Sequence, residues 1–144
     1  MSTAKEDCEQ LLDFVMPFAI HSLSKDGEFF PFGGVMLSTG ECVLSASYIE
    51  AEDDRPESTP LIELLEEGLR SRAASGECIA TVIVYDALTI PPGKQSKQDT
   101  VICSLEHLKH YSIDACFPYT LKNGCVEFEE SFATKAEHKV FGRN

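Results

Sequence analysis

Basic residues are scarce in this chain: 12 Lys and Arg stand against 24 Asp and Glu, a formal charge of -12 at pH 7. That balance argues against nucleic acid and anionic membranes as partners, because the field repels phosphates before any contact forms. It leaves solubility, or a protein partner with a basic face. Long apolar runs are missing too. The longest mostly apolar stretch, Leu11 to Ile20, contains Asp13 and Pro17 and falls well short of the ~20 residues of a membrane helix. The polar opening Met1 to Asp7 has neither the basic start nor the apolar stretch of a secretory signal, so a cytoplasmic location is expected.

No C-x-x-C pair occurs among Cys8, Cys42, Cys78, Cys103, Cys116 and Cys125. At 144 residues the chain can bury about 68–70% of its unfolded surface and build a core without disulfide staples. All six cysteines are expected to be reduced, most of them buried as small hydrophobes. The G-x-S-x-G elbow of α/β serine hydrolases is absent. Pro91 to Lys97 contains Gly-Lys but lacks the earlier glycine and the following Ser or Thr of a phosphate loop. Internal repeats and low-complexity tracts are absent as well, and nothing indicates a cofactor.

What is present is an ordinary globular composition, 43% apolar and 25% charged, expected to form a single domain over residues 1–144. Thr3-x-x-Glu6 is a capping box, and Cys8, Leu11, Leu12, Val15, Phe18, Ala19 and Leu23 recur at helical spacing. A helix over 4–23 follows, with Pro17 expected to kink or interrupt it. Two apolar runs, Phe29 to Leu37 and Cys42 to Ile49, flank the turn Ser38-Thr39-Gly40-Glu41 and read as an antiparallel hairpin. Thr59-Pro60 then opens a second helix with a stripe of Ile62, Leu65, Leu69 and Ala73, closed by Gly76. Cys78 to Tyr85 is β-branched without polar alternation, as a central strand buried on both faces should be. Further strands are expected at 101–107, 112–120 and 126–128, the last extending toward Phe132, with Lys122-Asn123-Gly124 as a turn. The fold class is α+β: a mainly antiparallel sheet of five to six strands with two main helices, in the order α-β-β-α-β-β-β-β.

In element order this resembles the profilin-like and roadblock-type domains, folds that host many functions. The hairpin, helix and apolar strand also resemble the front half of zinc-dependent cytidine deaminases. Those enzymes carry H-x-E or C-x-E at the second helix and P-C-x-x-C after the next strand. Here the second helix has Leu61-Ile62-Glu63 with no histidine or cysteine beside it, so deaminase chemistry is not expected.

Cys103, His107, His110, Cys116 and Asp114 supply zinc-compatible donors, but their spacing matches no familiar site, so no metal is expected. Cys103 and His107 would share a strand face and are the best candidates for an enzyme site. In Phe29-Phe30-Pro31-Phe32-Gly33-Gly34, glycines within a strand mark a bulge or the close approach of a ligand or another backbone, which makes Phe32 and Gly33 candidate binding residues. The acidic stretch Glu50 to Glu57 contributes Glu52, Asp53 and Asp54 as candidate contacts for a basic protein partner. Apolar side chains on both sheet faces lead to an expected homo-oligomer. The preferred reading is a non-catalytic interaction or regulatory module. The alternative is a small enzyme built around Cys103 and His107.

Overall fold

The computed structural model describes residues 3–45, 58–136 and 140–141. Helix α1 (Ala4–Asp26) starts at the expected capping box: Glu6 N–H donates to Thr3 Oγ1 at 3.1 Å, and Thr3 N–H to Glu6 Oε1 at 2.9 Å. Gly27 ends it in the left-handed region at φ 77°, its N–H returning to the Leu23 carbonyl. Pro17 lies within the helix but does not end it. Its ring is on the exposed side, where water can satisfy the carbonyl left without a donor. The expected interruption is therefore absent.

Strands β1 (Phe32–Leu37) and β2 (Cys42–Ser45) form the hairpin, helix α2 (Ser58–Ala74) follows, and then β3 (Cys78–Thr89), β4 (Gln98–His107), β5 (Tyr111–Lys122), β6 (Cys125–Phe128) and β7 (Phe132–Lys135). Every strand pair is antiparallel, in the order β2-β1-β3-β4-β5-β6, with β7 also on β5. The α+β class with two helices stands, with seven strands among the described residues rather than five or six. The extra strand arises where the run toward Phe132 breaks. β6 pairs with β5 over Tyr119–Lys122 and β7 over Ile113–Cys116. Between them the Pro118 carbonyl accepts the Glu129 N–H at 2.8 Å. Carbonyl and nitrogen of one strand residue point to the same side, so the nitrogen without a proton falls at the gap between two edge strands, where no ladder bond is lost.

Both faces of β3 are covered, as its unbroken apolar sequence requires. Leu11, Val15, Ala19 and Leu23 of α1 pack against Met36, Val82, Val84, Cys103 and Leu105 on one face. Leu65 and Leu69 of α2 pack with Val35, Ile83 and Val140 on the other. The paired glycines of β1 make this approach possible. A Cβ on Gly34 would lie 3.0 Å from Val15 Cγ1 of α1. One on Gly33 would lie 2.9 Å from the Ser45 carbonyl oxygen and 3.5 Å from Leu65 Cδ2 of α2. The expected close approach at Gly33 is thus by neighbouring backbone. Gly33→Ala should therefore lower stability by about 1–3 kcal/mol, the usual cost of overpacking, read as the shift of the urea midpoint at unchanged slope. A variant as stable as the parent would show that β2 moves aside freely.

Candidate functional site

Three polar contacts, two buried and one partly buried, join elements far apart in the chain and engage most of the groups that chemistry could use. The α1 stripe 7, 11, 15, 19, 23 begins with a carboxylate, Asp7, which is only 6% exposed. Such a group needs a partner when folded. It finds His107 at the end of β4, 2% exposed, with Nε2 2.9 Å from Asp7 Oδ2. The other ring nitrogen, Nδ1, accepts the Lys109 N–H at 3.0 Å. That fixes the tautomer: the proton sits on Nε2 and is donated to Asp7.

On the same face, the Tyr119 hydroxyl reaches over β4 and donates to Asp86 Oδ1 and Oδ2 at 2.9 and 3.0 Å. Burial raises the Asp86 pKa, with Asp99 and Glu28 adding to the effect, while the bond from Tyr119 opposes it. On the opposite face, buried Glu106 accepts the Val140 N–H at 3.0 and 3.1 Å and the Phe141 N–H at 2.6 Å. Two successive backbone donors enclosing one carboxylate are an anion nest. Here it pins the C-terminal tail beside α2.

None of the six cysteines takes part in these contacts, and all six are free. Cys103 and His107 share the α1 face as expected, but four residues of strand hold them about 13 Å apart. The Cys103 thiol faces Met16 Sδ at 3.6 Å, and its pKa is raised by burial and then by Cys116 and Asp114. Burial and the neighbouring carboxylates Asp7 and Glu9 push the Cys8 thiol up to about 12, and burial with Asp114 pushes Cys116 to about 11. These environments suppress the thiolate that nucleophilic chemistry needs. Strand alternation sends Cys116 and Asp114 to the face opposite Cys103 and His107. The five donors clustered in the sequence are thereby split by the sheet. Among the described residues no three His, Cys, Asp or Glu side chains gather in a metal-holding group.

Comparisons with protein-family models, curated proteins and solved structures give no match.

The geometry therefore carries the reading alone. Phe32 packs edge-on against Phe29, ring centroids 5.8 Å apart, and with Gly33 it lies within the sheet. Glu52, Asp53 and Asp54 lie outside the described residues. A cleft of about 400 Å³ opens instead at the far end of the sheet, lined chiefly by Pro91, Pro92, Pro118, Glu129, Glu130 and Phe132. Lys94 and Ser96 of the β3–β4 loop and Gln98 at the start of β4 complete its wall. The sequence reading of Pro91 to Lys97 as no phosphate loop, and of a strand extending from 126–128 toward Phe132, does not show that the two segments meet. The signal was Pro118, a proline inside an apolar run, which marks a strand edge where pairing changes.

Two outcomes test this account. In the native protein at pH 8, a colorimetric disulfide reagent should label exposed Cys125 fastest, with buried Cys8, Cys78, Cys103 and Cys116 reacting only on unfolding; rapid labelling of Cys103 would contradict it. Glu106→Ala should cost about 1–3 kcal/mol, since it strands buried backbone donors. It should also speed amide exchange at Val140 and Phe141 while Tyr119 keeps its protection. Unchanged tail exchange would show that Glu106 does not hold the tail.

Proposed function

We propose that this chain is a non-catalytic protein-interaction module that self-associates and docks a basic partner. The supporting observation is the end of the β3–β4 hairpin. Leu88, near the end of β3, and Ile90, just beyond it, are the most exposed large apolar side chains among the described residues, at 61% and 55%. Paired exposed aliphatic groups on one projecting hairpin have no role in the core and are typical of contact surfaces. The groups that an enzyme would use are engaged elsewhere: His107 with Asp7, Asp86 with Tyr119, Glu106 with the tail. No observation favours the alternative enzyme around Cys103 and His107. No helix among the described residues is long and apolar enough to cross a membrane. The charge of -12 accounts for the basic partner, and Glu52, Asp53 and Asp54 remain candidate contacts for it through their composition.

Sedimentation velocity at tens of micromolar, a rough working range for weak dimers, tests the self-association. The parent should sediment as a dimer. The Leu88→Ser, Ile90→Ser double variant should sediment as a monomer with an unchanged urea midpoint, because neither side chain is buried in the fold. A parent that is monomeric throughout, or a double variant that still dimerises, would overturn the role given to these residues.

A further inference from the structure

We infer that the cleft between Pro91-Pro92 and Phe132 is the docking site for an arginine-bearing segment of a partner protein. The inference rests on the reading of the chain as an interaction module and names the partner's chemistry. At about 400 Å³ the cleft falls in the range of sites that bury a ligand, roughly 300–1,000 Å³. Its apolar surface comes from Pro91, Pro92, Pro118 and Phe132, and its formal charge from Glu129, Glu130 and Lys94, a net of -1.

Glu129 and Glu130 are exposed neighbours on the β6–β7 connection. Among the described residues neither carboxylate has a hydrogen-bond or ion-pair partner, whereas Glu127 nearby reaches Lys122 at 3.7 Å. Two adjacent exposed carboxylates give this rim a local negative potential, which salt screens and a bound cation would relieve. An arginine fits the surroundings better than a lysine. Its aliphatic stem covers proline surface, its planar head stacks on an aromatic ring, and its fork of donors matches a carboxylate. The open edge of β7 lies on the side away from β5 and the cleft, so the segment is recognised through its side chains, against the prolines, Phe132 and the two carboxylates.

The test uses a capped, fluorescein-labelled pentapeptide, glycine-arginine-proline-arginine-glycine, titrated with the full chain by fluorescence polarisation at low salt. Binding is followed in parallel on the backbone resonances of Gln98, Ser131 and Phe132. The arginine peptide should bind and shift those resonances, and its glutamate counterpart should not. Glu129→Gln with Glu130→Gln should weaken binding about tenfold and flatten its salt dependence. Phe132→Ala should weaken it through lost stacking, and Lys94→Gln should tighten it by removing the opposing charge. Equal binding of both peptides, indifference to the double charge change, or shifts elsewhere in the sheet would overturn the assignment, as would no binding at millimolar peptide. The Leu88→Ser, Ile90→Ser variant should keep its peptide affinity. Failure of the cleft is thus read on peptide binding, and failure of the module on sedimentation.

Discussion

The structure depends on one strand being dry on both sides. β3 carries Val82 and Val84 toward α1 and Ile83 toward α2, all almost fully buried. A strand with no wet face cannot lie at an edge, so β1 and β4 must flank it and a helix must cover each side. The adjacent glycines of β1 follow from this demand. A side chain at either position would hold α1, α2 or β2 away from the sheet by the width of a methyl group, and close packing is where much of the apolar gain lies.

Covering both faces leaves polar ends to satisfy, and the three polar contacts meet that need differently. Asp7 sits in the first turn of α1, where the helix dipole favours a negative charge, and His107 meets it as a neutral donor. The histidine also accepts a backbone N–H, so both ring nitrogens have hydrogen-bond partners. Glu106 binds backbone rather than a side chain. The tail thereby covers sheet surface beside α2, with Val140 joining the same cluster as Leu65 and Leu69. Each contact is the kind of group a search for catalysis would select. Each is instead accounted for by the burial that the fold imposes.

Local order was legible in the sequence. The capping box, the helical stripes, the hairpin turn and the central strand all carry their own short-range signals, and the structure follows them. What the sequence did not show depends on contacts across long separations. Asp7 and His107 are 100 residues apart and are joined only once α1 crosses the sheet. Even so, the spacing of Asp7 with Leu11 and Val15 could have announced a carboxylate in need of a partner. Alternation along β5 decides that Cys116 and Asp114 turn away from Cys103, which no count of residues between donors reveals. Pro17 deceived for a related reason: its cost depends on which way the ring faces, and here it faces water.

Length explains where an unassigned surface is left. At about 1.5 Å per helical residue and 3.3 Å per strand residue, α2 extends roughly 25 Å and β3 roughly 40 Å. The central strands therefore outrun the cover on the α2 face. β3 and β4 project past it as a hairpin that carries Leu88 and Ile90. On the α2 side the same end opens into the cleft walled by Pro91, Pro92 and Phe132. If stability alone had shaped this end, shorter strands or polar side chains would serve it better, since the projecting aliphatic pair adds nothing to the core. The buried ends of the same strands are closed by Asp7, His107, Glu106 and the tail. The contrast between a closed end and an open one is the ground for proposing the tip of the β3–β4 hairpin as the contact surface.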